Sequence, residues 1–348
     1  MLLVLGLAVG IWVLGAMAKI PAQRRLWAIA GLWGAVVVLQ LILPSGHALR
    51  MVTGGSVAVW LGLGVVAGLV FLYRQLLVAL RAKAESKAPV PSRPAGTFKP
   101  EELDRYARHI MLREIGGPGQ KRLKNAKVLV IGAGGLGSPS LMYLAASGVG
   151  TIGIVDDDTV EASNLQRQII HTEDRIGMPK VFSAETAMRA LNPFVELRPY
   201  HRRLGAEDAV ALIADYDLVL DGTDNFDTRY LVNKVCVDLG KPLISAAITQ
   251  WEGQISLYHP AEGGPCYECV FPVRPAPGMV PTCAEAGVVA PLPGVIGSMM
   301  AMEAVKFLTG AGESLIGRIL IHDALYTDTR VITAKRREDC PICGGNHG

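Results

Sequence analysis

The sequence predicts an α/β protein whose mainly parallel, Rossmann-like sheet carries an antiparallel C-terminal extension and is preceded by three transmembrane helices. Three observations predict it. The first 80 residues contain three long apolar runs without a single charge in any of them. From residue 98 onward, short β-branched runs alternate with helical patterns, as in layered α/β folds. One of those short runs leads directly into Gly132-Ala133-Gly134-Gly135-Leu136-Gly137.

The apolar runs are Leu2–Ala18, Leu26–Leu43 and Val52–Tyr73. Each comes close to the ~20 residues a helix needs to cross ~30 Å of hydrocarbon. A cleaved signal peptide is the alternative for the first run, but Met1-Leu2-Leu3 offers no basic leader. Of 348 residues 50% are hydrophobic and 19% charged, with a net charge of +3. Five of the 34 basic residues, Lys19, Arg24, Arg25, Arg50 and Arg74, and none of the 31 acidic ones lie in the first 80 positions. That end carries +5, and the remaining 29 basic and 31 acidic residues leave −2. This composition excludes a disordered chain, a collagen-like repeat and a disulfide-dense secreted scaffold. It also excludes a broadly basic nucleic-acid binder, because the positive excess sits in the apolar end.

Loop charges set the expected orientation. Lys19, Arg24 and Arg25 separate the first two runs, and Arg74, Arg81, Lys83 and Lys87 follow the third, whereas Arg50 stands alone between the second and third. The positive-inside rule then places Met1 outside and everything from about residue 74 in the cytoplasm, the topology of a multi-pass inner-membrane protein. If one run does not span, Met1 changes side and the large domain does not. Residues 81–97, rich in Ala, Lys and Pro, read as a semi-stiff tether, and 98–348 as one catalytic domain.

In that domain, Lys127–Ile131, Thr151–Val155, Asp217–Leu220 and Pro242–Ala246 read as buried strands, with Lys180–Leu191 and Thr228–Leu239 as helices between them. Beyond Gly253 the pattern changes. Gln254–His259 and Arg318–His322 read as further strands around a Pro/Gly/Cys loop at 260–294, and Val295–Leu308 as a helix before the last strands.

Gly132, Gly134 and Gly137 form a GxGxxG between strand and helix, with Gly135 inside it, and such a turn lets backbone N–H groups approach phosphates. Asp156 closes the next strand 19 residues after Gly137, where an acid accepts ribose hydroxyls. Alone, these features mean a nucleotide, with NAD the default and an oxidoreductase the corresponding enzyme class. Asn164, Arg167 and Lys180 just downstream suit a triphosphate better, since Arg and Lys clamp phosphates. Singly, each also reads as a solvated polar surface residue. Asp224, in Asp-Gly-Thr-Asp-Asn at the end of a strand, is a natural Mg²⁺ anchor facing phosphates. Alternatively, Asp224 or Asn225 caps the following helix.

Cys266-x-x-Cys269 and Cys340-x-x-Cys343 are two knuckles with the composition of a closed tetrahedral Zn²⁺ site. Such a site would pin the C-terminal tail to the long loop. Cys236 reads as a buried helix residue, whereas Cys283, in Pro-Thr-Cys-Ala-Glu-Ala-Gly, is a candidate reactive thiol.

Taken together, Arg105-Tyr106-Ala107-Arg108-His109, the glycine turn, the Asp156 and Ser-Asn-Leu-Gln-Arg-Gln stretches, Thr-Asp-Asn and both CxxC pairs resemble the ThiF/MoeB/HesA family, in order across residues 100–345. These are prokaryotic relatives of ubiquitin-activating enzymes, and Thr-Cys-Ala-Glu-Ala-Gly-Val brings the chain nearest the molybdopterin-synthase branch. The resemblance implies an adenylyltransferase acting in molybdenum cofactor biosynthesis. It would consume ATP with Mg²⁺ and activate the C-terminal glycine of a ubiquitin-like sulfur carrier ending in Gly-Gly. It assigns Asp156 to the ribose, Asn164, Arg167 and Lys180 to the phosphates, and Asp224 to Mg²⁺. It also implies that Arg108 reaches the nucleotide of a neighbouring subunit in a homodimer. A carrier of the thiamine pathway and a tRNA-modifying member are alternatives, and a membrane scaffold without turnover is another class of reading. Three membrane spans depart from the family pattern. No rhodanese-like domain follows Cys343, which implies a separate sulfur donor.

Overall fold

The computed structural model describes every residue except 19, 45, 55, 88–97, 276–285 and 346–348. It divides into two compact units, residues 1–92 and 93–348.

The first unit holds α1 (Leu2–Met17), α2 (Ala22–Ile42), the short α3 (Ala48–Thr53) and α4 (Val57–Lys87). Among the described residues two stretches, Gln23–Ile42 and Ala48–Tyr73, are long and apolar enough to cross a membrane, which corrects the expectation of three. The reason is length: α1 has 16 residues, about 24 Å of helix against ~30 Å of hydrocarbon. The second helix begins four residues earlier than expected, so Arg24 and Arg25 lie in its first turn. Helix α4 runs on to Lys87, so 81–87 is helical where a tether was expected. Polar ties hold α2, α3 and α4 together. Gln40, fully buried, donates from Nε2 to the Arg50 carbonyl at 3.0 Å and to the Thr53 hydroxyl at 2.8 Å. Trp33 Nε1 donates to the Trp60 carbonyl at 2.9 Å.

The second unit contains one eight-stranded sheet in the order β3-β2-β1-β4-β5-β6-β7-β8. Its strands are β1 (Lys127–Ile131), β2 (Thr151–Asp156), β3 (Glu196–His201), β4 (Leu218–Asp221), β5 (Leu243–Ile248), β6 (Glu252–Tyr258), β7 (Arg318–Asp323) and β8 (Asp328–Thr333). Strands β3 to β5 in the sheet order run parallel, and β5 onward pair antiparallel. Around them are α5 (Pro100–Ile110), α6 (Gly116–Asn125), α7 (Gly137–Ser147), α8 (Lys180–Leu191), α9 (Ala206–Ala214), α10 (Phe226–Asp238), α11 (Tyr267–Val270) and α12 (Pro291–Thr309).

The central strands are buried on both faces, as parallel strands must be when helices cover the sheet. Val128, Leu129 and Val130 have no exposed surface, and alternate residues feed two separate apolar clusters. Val128, Val130, Ile152 and Ile154 pack toward α7, α8 and α12; Leu129, Ile131 and Val219 pack toward α9 and α10. The edge strand β3 lacks that apolar signature. Its sequence Glu-Leu-Arg-Pro-Tyr-His is mostly half-exposed, and Pro199 is tolerated because an edge strand can lack one donor.

Candidate functional site

The C-terminal ends of β1, β2 and β4 lie side by side, because β1 sits between the other two. Chain order reverses at this point, where ligands bind in open α/β sheets. The glycine turn joins β1 to α7 there. Gly132 has φ 93°, and a Cβ on it would meet the Gly222 backbone at 3.3 Å. A Cβ on Gly137 would lie 1.9 Å from the Gly132 carbonyl oxygen. Glycine at both positions lets the turn close and seats it against the 222–225 loop that leaves β4.

Ala133, within the turn, is held at both ends. Its N–H donates to Asp156 Oδ2 at 2.7 Å, and its carbonyl accepts from His171 Nε2 at 2.9 Å. Asp156 Oδ1 takes the Asp158 N–H at 2.8 Å. Burial raises the Asp156 pKa, while Lys180 and the two N–H donors pull it back. Burial lowers the His171 pKa, so the ring is neutral. With Nε2 donating, Nδ1 accepts from the Ser183 hydroxyl at 2.9 Å. His171 was not singled out from sequence, because both its partners come from other elements.

Asn164, Arg167, Gln168 and His171 follow β2 in a segment that opens with a single 3-10 turn, Ala162–Asn164. Asn164 Oδ1 accepts from Arg167 Nη2 at 2.8 Å. The Arg167 stem lies 3.9 Å from where a Cβ on Gly135 would stand. Lys180, buried at the start of α8, donates from Nζ to the exposed Asp158 at 2.7 Å. Arg167 thus lies against the glycine turn, while Lys180, acting on Asp156 from one step away, is held in an ion pair that sequence inspection did not foresee.

Asp224 is exposed and makes no hydrogen bond among the described residues. The capping role falls to Asn225, whose side chain accepts the Thr228 N–H at 2.8 Å. Beneath this loop Asp221 is fully buried and accepts from Thr223 N–H at 3.0 Å, Thr223 Oγ1 at 2.6 Å and Ser245 Oγ at 3.1 Å. Arg229, also buried, lies 3.8 Å from the same carboxylate and donates to Ser245 Oγ and to the carbonyls of Ala246 and Thr223. Asp221 and Arg229 therefore fix the loop that presents Asp224. Asp221 lies in the Asp-Gly-Thr-Asp-Asn motif, and that was the only signal for it. Arg108 stands exposed on α5 and joins none of these hydrogen bonds.

Cys266, Cys269, Cys340 and Cys343 converge with their sulfurs all within 4.8 Å of one another, every one buried. Neighbouring sulfurs are 3.8, 3.6 and 3.3 Å apart, and none is in a disulfide. Four sulfurs about 2.3 Å from a tetrahedral Zn²⁺ would stand roughly 3.8 Å apart. Burial pushes the Cys343 thiol up to about 11 and raises Cys266. Burial also opposes ionisation of Cys340, but the Cys343 and Ile342 N–H groups outweigh it and bring that thiol down to about 7. Four buried sulfurs at this spacing, none of them in a disulfide, suit a cation that takes them as thiolates. The donors fit a zinc ion, and the site leaves no open side for a substrate. Cys236 is buried in α10 with its thiol pushed up by burial. Cys283 lies outside the described residues.

Residues 106–342 match the family model described as the ThiF family. The chain is 51% identical over 248 residues to a sulfur carrier protein adenylyltransferase of Thermus thermophilus, covering 70% of this chain and 92% of that protein. It is 50% identical over 251 residues to a probable adenylyltransferase/sulfurtransferase, MoeZ, of Mycobacterium tuberculosis, covering 71% of this chain but 64% of that longer one. Among solved structures, Escherichia coli MccB bound to an MccA derivative superposes with a TM-score of 0.62 at 25% identity, over 69% of this chain and 75% of that one.

Proposed function

The chain belongs to the ThiF family, and from that premise we propose that it is an adenylyltransferase that activates the C-terminal glycine of a ubiquitin-like sulfur carrier with ATP. The observation that carries this reading is a pair of cations at the end of β1: Arg167 against the glycine turn, and Lys180 acting on Asp156, which binds the Ala133 N–H of that turn. A dinucleotide's pyrophosphate gives two such cations little to do, whereas a triphosphate occupies both.

A carboxylate oxygen of the carrier attacks the α-phosphorus of ATP. An O–P bond forms to the carrier, the bond to the bridging oxygen of the β-phosphate breaks, and pyrophosphate leaves. The attacking carboxylate is already ionised, so no general base is required. The work is positioning and neutralising charge. In this reading the turn's N–H groups, Asn164, Arg167 and Lys180 hold the phosphates, and Lys180 leaves Asp158 to do so. Asp156 keeps lone pairs for the ribose beside its two backbone donors. Asp224, exposed and unengaged, would hold Mg²⁺, which supplies charge neutralisation on the phosphates when bound. Arg108 would complete the site of a second copy in a homodimer. The four cysteines would hold a structural zinc that ties 340–343 to α11. The two long apolar stretches would anchor the chain in a membrane with residues 98–348 cytoplasmic, and sulfur would come from a separate donor. The carrier is taken to be of the molybdopterin-synthase type.

The test is ATP–pyrophosphate exchange by the full-length chain with a panel of carriers ending in Gly-Gly. Exchange that requires the carrier supports the reading; no exchange with any carrier refutes it.

A further inference from the structure

We infer that His171 is a positioning residue for nucleotide binding: by holding the Ala133 carbonyl it aims the Gly134 N–H at a phosphate oxygen. This rests on the reading that the cleft takes ATP. The His171 ring is buried, and the attack on the α-phosphorus gives it no proton to move. Three successive peptide groups make the turn. In the first, the Ala133 N–H is taken by Asp156 at 2.7 Å. In the third, the Gly134 carbonyl accepts from Ser138, from its N–H at 2.9 Å and its hydroxyl at 2.7 Å. The middle group, between Ala133 and Gly134, has a single tie among the described residues, His171 Nε2 on the Ala133 carbonyl at 2.9 Å. Its N–H, on Gly134, makes no hydrogen bond among the described residues. Ala133 is fully buried, whereas Gly134 is half-exposed. The ring is fixed in turn by the Ser183 hydroxyl, which donates to Nδ1 at 2.9 Å, and Arg175 Nη1 donates to the Ser183 carbonyl at 2.6 Å.

The middle peptide group is planar and trans, so its carbonyl and its N–H point in opposite directions. A ring that holds the carbonyl on the buried side therefore directs the N–H toward the open side. Without that hold the group is free to turn over. A flip changes φ of the following residue, and that residue is glycine, which takes either sign of φ readily. A flipped group would present a carbonyl oxygen where the donor stood. A phosphate oxygen accepts hydrogen bonds and carries negative charge, so the flip exchanges attraction for repulsion.

The experiment titrates ATP by calorimetry into the full-length wild type, His171→Asn and His171→Gln, with melting temperature as a control. A glutamine amide nitrogen reaches the place of Nε2. Asparagine reaches only the place of Nδ1 and leaves the Ala133 carbonyl without its donor. His171→Asn is expected to weaken ATP binding about tenfold to a hundredfold, as loss of a hydrogen bond to a charged group does, and His171→Gln by about threefold at most. Equal ATP affinity of the wild type and His171→Asn would overturn the proposal. So would His171→Gln binding as weakly as His171→Asn, because a donor at that place would then not be what matters. If His171→Asn does not fold, Ser183→Ala decides: it frees Nδ1 and is expected to weaken ATP binding severalfold, and unchanged affinity overturns the proposal. Failure of the wild type to bind ATP would instead count against the reading that the cleft takes ATP.

Discussion

The two clusters of polar chemistry in the catalytic unit are built on opposite plans. The cysteine cluster is closed: four buried sulfurs face one another, and both knuckles lie outside the parallel part of the sheet. The cleft at β1, β2 and β4 is open: Asp224 is exposed, and Lys180 and Asp156 are held by partners that a ligand can replace or share. On the proposed reading, the closed cluster serves stability and the open cleft turnover. A closed set of ligands would fix two knuckles separated by 70 residues of sequence, whereas a catalytic site must keep some groups uncommitted.

That contrast can be broken from either side. The largest effect is expected from Cys343→Ala, which should remove the zinc. In small zinc units metal binding on the order of 10 kcal/mol is coupled to folding, so the melting temperature should fall sharply along with metal content measured by atomic emission. Unchanged melting would mean the cluster is not a staple. Next comes Asp224→Ala, expected to cut exchange on the order of 10³-fold, as loss of one key transition-state contact does. Because Asp224 is exposed, melting temperature and zinc content should stay at wild-type values. A drop in stability comparable to the cysteine variant would erase the distinction between the two sites.

Arg229→Met sharpens the comparison by attacking the support of the open site. It leaves the Asp221 carboxylate buried with Ser245 and Thr223 but no cation, a loss of about 3 kcal/mol. Chemical denaturation should show it, together with a weaker Mg²⁺ dependence of exchange as the Asp224 loop loosens. The smallest effect concerns His171. Its pKa is depressed from 6.5 by burial, with Lys180 and Arg175 adding in the same direction and the Ala133 carbonyl opposing them. Below pH 6.5 the unfolded chain therefore takes up the proton first, so stability falls as pH drops toward the depressed folded value. The slope from this one group is at most about 1.4 kcal/mol per pH unit. His171→Gln keeps a donor for Ala133 and should flatten that part of the stability–pH curve relative to wild type.

Legibility from sequence followed the locality of each cause. Strand β1 and helix α8 begin and end at the residues expected, because a short β-branched run and a Pro-started amphipathic stretch are local signals. Strand β3 was missed: paired only with β2 at the sheet edge, it needs no apolar alternation and carries Glu196, Arg198 and His201. Helix α9 was missed as well. The membrane spans were overcounted because a first apolar run close to 20 residues was accepted as a crossing, whereas helix α1 comes to 16. In the site, the glycines and cysteines were visible since their spacing is their chemistry. The Asp221–Arg229 pair and the His171 clamp were not, because each depends on Ser245 or Ala133 being brought over by the sheet.

On the proposed reading, the open cleft joins AMP to a protein tail. Intact-mass measurement of a Gly-Gly carrier mixed with the full-length chain, ATP and Mg²⁺ tests it most directly. A carrier heavier by one AMP is expected with the wild type and none with Asp224→Ala. Nucleotide bound in the wild-type cleft with every carrier left unmodified would contradict it.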